Sequence, residues 1–219
     1  MTAEPPTILS LISQKGGVGK STLARLMAVE MARAGWRVLI ADLDAAQGTS
    51  TQWHHRRTAA EIEPDVSVMR FRSVERALQE AARYDLTILD GPAHAERGGV
   101  AMALNSALVI LPTGYSLDDL EPQARVAYEL ADAGVPPERI RLALGRTRGS
   151  TKEGLGVRGY IKRAGLKAFE HELRELPAIR QAHTLGRAAS ETPFAKINDE
   201  ARAVAAEIAA AMMREGIDG

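Results

Sequence analysis

The chain has 219 residues, 45% of them hydrophobic and 26% charged, enough for one domain with a sizeable buried core. It carries 28 Lys plus Arg, 28 Asp plus Glu and no cysteine. Net charge therefore points to no partner, while disulfides, thiolate metal sites and iron–sulfur clusters are excluded. Met1 to Pro6 lack the basic-then-apolar build of a signal peptide, and no apolar run approaches the roughly 20 residues needed to span a bilayer. The expectation is a cytoplasmic protein with no membrane partner.

Taken in chain order, the apolar run Ile8-Leu9-Ser10-Leu11-Ile12 makes 7–13 a strand buried on both faces, as in a parallel sheet covered by helices. A glycine-rich loop follows, then a helix over 20–34 with Gly35 placed to end it. Strands are predicted at 37–42, 66–71, 86–90, 107–112, 140–146 and 167–171. Helices are predicted at 73–82, 117–133, 152–163 and 199–214, the second of these closed by Gly134. This alternation predicts a doubly wound α/β fold: a mostly parallel sheet with helices on both faces, of the P-loop NTPase kind. With no repeat, low-complexity tract or long linker, residues 1–219 are expected to form a single domain.

The loop is Gln14-Lys15-Gly16-Gly17-Val18-Gly19-Lys20-Ser21-Thr22. It sits between a strand and a helix, the context in which glycines curl the backbone so that N–H groups point at phosphate oxygens. Lys20 is expected to reach the β- and γ-phosphates of a nucleotide, and the Ser21 hydroxyl to ligate Mg²⁺. Gln14 stands where the ordinary motif has glycine, and Lys15 is a second lysine that a one-subunit cradle does not need.

With Lys15 and Lys20 this loop resembles the deviant Walker loop of the ParA/MinD superfamily of ATPases, and the likeness continues downstream. Asp42-Leu43-Asp44-Ala45-Ala46-Gln47-Gly48 is similar to the family's Asp-x-Asp-Pro-Gln-Gly, with an extra residue before Gln47. Leu86-Thr87-Ile88-Leu89-Asp90-Gly91-Pro92 resembles its Walker B strand and second switch, and Leu108 to Thr113 followed by Ser116 to Leu120 resembles the next segment. The chain looks like the short plasmid-partition ATPases of the ParF kind, which lack an N-terminal helix-turn-helix domain; with the phosphate loop beginning at residue 14, none is expected here. The likeness covers most of 7–215 and is specific up to about Asp119. It implies that Asp44 orients the attacking water, that Asp42 and Asp90 support magnesium, and that Gly91 lets the backbone approach the γ-phosphate. It also implies that ATP closes a homodimer in which Lys15 touches the partner's phosphates. Lys15, Lys20 and Asp44 are thus the catalytic candidates; Lys15 through Thr22 and Gly91 are the ATP-binding ones.

Residues 141–190 hold eleven Lys or Arg against four Glu, whereas the first 140 residues lean acidic. A basic later third suits sequence-blind contact with DNA phosphates, and the family resemblance points the same way. The candidates are Arg158, Lys162, Arg163, Arg180, Arg187 and Lys196, with Arg148 also available and Arg146 or Thr147 as alternatives for the adenine pocket. Trp53 is read as a packing residue, and His94 as a loop histidine in the second switch. Ala206, Ala209, Ala210 and Met213 are read as the core-facing stripe of the last helix, not as a membrane anchor.

The expected function is a weak ATPase, stimulated by a partner, that uses ATP and Mg²⁺. It would associate with the nucleoid and segregate DNA with a ParB-like centromere-binding protein. The same chemistry would serve a protein cargo such as a chemoreceptor cluster or carboxysome. A dethiobiotin-synthetase-like enzyme is the metabolic alternative, since the other metabolic relatives rely on cysteines that are absent here.

Overall fold

The computed structural model describes residues 6–44, 48–93, 96–145 and 151–217; Ala45, Ala46, Gln47, His94, Arg146, Thr147 and Arg148 lie outside the described residues. Six strands form one sheet: β1 (Thr7–Ser13), β2 (Val38–Asp42), β3 (Ser67–Arg70), β4 (Leu86–Ala93), β5 (Leu108–Thr113) and β6 (Ile140–Leu144). Their order is β3-β2-β4-β1-β5-β6, and every pairing is parallel. The helices are α1 (Lys20–Arg33), α2 (Thr49–Ala59), α3 (Val74–Ala81), α4 (Glu96–Leu104), α5 (Leu117–Asp132), α6 (Thr151–Arg163), α7 (Pro177–Thr184) and α8 (Ala195–Ile217).

Alternation along the strands decides which helices cover which face. Leu9 and Leu11 of β1 pack with Met27 of α1, Trp53 of α2, Ile179 of α7 and Ile208 of α8. Ile8 and Ile12 pack instead with Ala77 of α3, Met102 of α4, Leu120 of α5 and Val157 of α6. Both faces are therefore dry, which is why the strands read as continuous apolar runs. Parallel connections also send every strand's carboxyl end to one edge of the sheet, where the phosphate loop, Asp42 and Asp90 gather.

Three helices were not anticipated. α2 buries few side chains, Ser50, Trp53 and Arg57 among them. α4 contains the pair Gly98-Gly99, which weakens any helical signal, and α7 is only one short element opened by Pro177. Conversely, the segment 167–171 is not a strand. It touches β6 through one isolated parallel bridge, Leu142 with Ala168, and a second, Gly145 with Leu173, lies just beyond both. Side chains have taken its backbone groups: Arg158 donates to the Phe169 and Glu170 carbonyls, and Glu207 accepts from the Glu170 and His171 N–H groups.

The last helix docks on the core, but through a different stripe from the one read in the sequence. Ala201, Val204, Ala205, Ile208, Ala211 and Met212 are buried, at the three-and-four spacing of one helical face. Ala206, Ala210 and Met213 are exposed and Ala209 is half-buried. Among the described residues no helix is long and apolar enough to cross a membrane.

Candidate functional site

The loop after β1 adopts the curl its glycines permit. Gly17 and Gly19 have φ of 73° and 105°, left-handed values that a side chain disfavours. Gly19 caps α1 without a side-chain hydrogen bond, so the first N–H groups of that helix and its positive dipole end face the loop's concavity. Lys20 is buried, and its ammonium donates to the Lys15 carbonyl at 3.3 Å. Burial lowers its proton affinity, and the carboxylates of Asp90 and Asp44 pull the other way. One cavity is bounded by Gly16, Lys20, Ser21 and Thr22 on the loop side and by Asp44, Thr49 and Gly91 opposite. Val18 does not line it; it is buried beside a second, more apolar cavity with Leu144, Gly145, Leu173, Leu176 and Ile179. Gly17, Gly19 and Thr22 border both.

Two carboxylates on adjacent strands stand behind the loop. Asp42 of β2 and Asp90 of β4 are paired in register, so their side chains are neighbours. Asp42 is fully engaged: Oδ2 accepts from the Thr51 N–H at 3.1 Å and its hydroxyl at 2.9 Å, and Oδ1 accepts from the Asp44 N–H at 3.2 Å. It ties the start of α2 to β2. Asp90 accepts from the Ser50 hydroxyl at 2.8 Å through Oδ2, while Oδ1 is buried with no hydrogen-bond partner. Burial raises the affinity of this carboxyl for a proton, the hydroxyls of Ser50 and Ser21 offset part of that, and nearby Asp42 adds to it. An orphaned carboxylate oxygen beside the Ser21 hydroxyl is a hard-oxygen pair of the kind Mg²⁺ takes. The geometry thus favours Asp90 over Asp42 as a ligand. Gly91 borders the cavity, and a Cβ there would meet the Leu11 carbonyl at 3.1 Å and the Met102 side chain at 3.0 Å.

Lys15 turns away from this cavity within its own chain. Its ammonium donates to the Asp118 carbonyl and to Asp119 Oδ1 at 3.0 Å, at the start of α5. Among the basic candidates, Arg158 is committed inside the fold, donating to two carbonyls and to Glu172 Oε1 at 2.7 Å. Lys162, Arg163, Arg180, Arg187 and Lys196 are exposed. Arg180 also borders the apolar cavity and lies 3.8 Å from Glu175.

Sequence reasoning missed the contribution of α2. Thr49, Ser50 and Thr51 touch Ser21, Asp90 and Asp42 respectively, and only a Gly-Thr-Ser-Thr run, rich in capping residues, signalled a helix start there. Arg25 of α1 was missed as well. Trp53 is fully buried as expected, and it carries guanidinium groups from Arg25 at 5.7 Å and Arg57 at 5.4 Å from its ring.

Comparison with known proteins agrees with this geometry. A family described as "AAA domain" matches residues 6–89. The "Maintenance of carboxysome distribution protein A" of Gloeobacter kilaueensis is 28% identical over 178 residues, covering 81% of this chain and 81% of its own length. The "Chromosome-partitioning ATPase Soj" of Thermus thermophilus is 34% identical over 165 residues, covering 61% of this chain and 66% of its own. The ATP complex of Cyanothece McdA superposes with a TM-score of 0.70 at 17% identity, over 94% of this chain and 97% of that one. With its all-parallel sheet, its two-lysine loop and these relatives, the chain belongs to the ParA/MinD superfamily of P-loop ATPases.

Proposed function

We propose that this protein is an ATP-driven positioning switch that binds ATP with Mg²⁺, closes as a homodimer and holds DNA without sequence preference while the nucleotide is intact. The observation that carries the reading is the cavity at the head of α1 lined by Lys20, Ser21 and Asp44, with the buried Asp90 carboxylate behind Ser21 keeping its Oδ1 without a hydrogen-bond partner. Bound MgATP supplies the transferable phosphoryl group. Lys20 and the N–H groups of Gly16 to Thr22 hold its phosphates, Ser21 and Asp90 hold the metal, and Asp44 orients the water. Asp42 sets the position of α2 in support. Lys15, once it leaves Asp119, has the length and charge to reach a second subunit's phosphates.

Lys162, Arg163, Arg180, Arg187 and Lys196 support the DNA reading by their exposure, whereas Arg158 acts as a strut. Such contacts make affinity fall steeply with salt. Hydrolysis is slow and is stimulated by a partner, a ParB-like protein if the cargo is DNA. A protein cargo is the second reading, favoured by the carboxysome-distribution relative that spans 81% of the chain. DNA retention measured with ATP, with ADP and without nucleotide tests the switch. Retention with ATP alone, lost as salt rises, is expected; equal retention in all three states contradicts it.

A further inference from the structure

The phosphate cavity and the apolar cavity share Gly17, Gly19 and Thr22, and a residue lining each of them has a buried nitrogen with no hydrogen-bond partner. One is Nε of Arg25, three residues further along α1 and so on the same helical face as Thr22. Arg25 borders the phosphate cavity although it is only 6% exposed, and Trp53 covers one side of its guanidinium. The other is Nε2 of His183 on α7, which borders the apolar cavity. Leaving a charged donor buried without an acceptor costs stability, and native proteins rarely tolerate it without a use. Burial lowers the Arg25 pKa to about 10; the charge of Asp90 opposes that, Arg56 adds to it and Asp42 opposes it, so the guanidinium stays charged at neutral pH. Burial first, then the charges of Arg25 and Arg56, push His183 down to about 3, which keeps its ring neutral.

The chemistry of each nitrogen defines what it would take. A buried cation at the inner edge of a phosphate cavity asks for an anion that is not the terminal phosphate, since Lys20 and the loop hold that. A neutral imidazole with a buried nitrogen, in the lining of an apolar cavity, suits a hydroxyl. Between the terminal phosphates and the base of a nucleotide lie the α-phosphate and the sugar hydroxyls. We propose that Arg25 binds the α-phosphate of the nucleotide and that His183 hydrogen-bonds its sugar, so that the two residues select a nucleoside phosphate over a bare polyphosphate chain. This rests on the nucleotide-binding reading above and adds a subsite to it.

The test uses calorimetric affinities of ATP, ADP and 2′,3′-dideoxy-ATP, each with Mg²⁺, for the wild-type chain and for Arg25→Gln, Arg25→Met and His183→Phe. Trp53 emission is followed in parallel in a Trp36→Phe background. Removing Arg25 is expected to weaken ATP and ADP alike, by about tenfold, the loss of one charge-assisted contact. It should also erase the change in Trp53 emission on binding. Without nucleotide, Arg25→Met should unfold at a urea concentration no lower than wild type, because it removes an unsatisfied donor. His183→Phe should bring ATP and its dideoxy analogue to similar affinity. Unchanged affinity in the Arg25 variants overturns the proposal, and so does a loss confined to ATP, which would make Arg25 a terminal-phosphate contact. If wild type itself binds no nucleotide, the phosphate-loop reading has failed, and the two failures are thereby separate.

Discussion

Asp42 and Asp90 stand side by side on adjacent strands, yet only Asp90 has an oxygen to spare. In the proposed function these similar residues in a similar setting are divided, Asp42 as scaffold and Asp90 as ligand. Asp42→Ala is expected to cost about 1–3 kcal/mol of stability, since the Thr51 N–H and hydroxyl lose their acceptor. Asp90→Asn is expected to leave the nucleotide-free protein as stable as wild type, or more so, because it removes a buried charge, and to abolish the Mg²⁺ dependence of ATP affinity. Urea midpoints and ATP titrations with and without Mg²⁺ separate the two. Equal stability losses with intact metal dependence would reverse the assignment.

Lys15 and Asp119 form a half-exposed pair within one subunit, and such pairs contribute about 0–1 kcal/mol. A lysine that must reach a partner's phosphates first gives up this contact. Asp119→Ala is therefore expected to raise the ATP-dependent dimerisation constant, by up to about thirtyfold when both subunits are freed, with little change in monomer stability. Sedimentation with and without ATP measures it. Weaker dimerisation in the variant would show that Asp119 supports the assembled state.

Glu191 joins α2 to the segment after α7. It accepts from Arg57 at 2.7 and 3.1 Å, from Arg33 at 2.7 Å and from the Ala188 N–H at 2.7 Å. Burial by itself would raise its pKa, but the hydrogen bonds from Arg57 and Ala188 and the charges of Arg57 and Arg33 outweigh burial and hold it below the usual carboxylate range. A depressed carboxylate pKa gives stability that is present above the unfolded value and is lost as pH falls through the folded one. Glu191→Gln should therefore cost about 3–5 kcal/mol at neutral pH, as for a broken buried pair, and the gap to wild type should narrow in acid. Urea unfolding across that pH range checks both parts. A gap that is constant with pH would mean that Glu191 acts through packing alone.

Gly186 lies against the end of α2 with φ of 76°, and a Cβ there would sit 2.4 Å from the Arg57 backbone nitrogen. No side-chain rotation relieves a clash with backbone, so Gly186→Ala should destabilise by roughly 2–4 kcal/mol. Hydrogen exchange should locate the loosening in α2 and α7. A neutral effect would require α7 to shift without cost.

The parts legible in the sequence were those where a special backbone or a dry environment leaves a compositional mark. The three strands that carry the loop and the aspartates, β1, β2 and β4, are buried on both faces, and Gly17 and Gly19 of the loop adopt values few other residues reach. The missing parts depended on long-range partners. α2 buries only Ser50, Trp53 and Arg57, so its pattern is too sparse to read as an amphipathic helix. The role of Asp42 is set by Thr51, nine residues away, and the segment 167–171 lost its strand character to Arg158 and Glu207. Arg25 looked like an ordinary helix cation because the ring that covers it lies on another element.

The central claim is that the curled loop between β1 and α1 holds a nucleotide through Lys20. Isothermal titration of the wild-type chain and of Lys20→Ala with ATP in the presence of Mg²⁺ tests it most directly. Saturable binding by wild type, lost in Lys20→Ala while urea stability is retained, is the predicted result. Absence of binding in the wild-type chain, or unchanged affinity in Lys20→Ala, would contradict it.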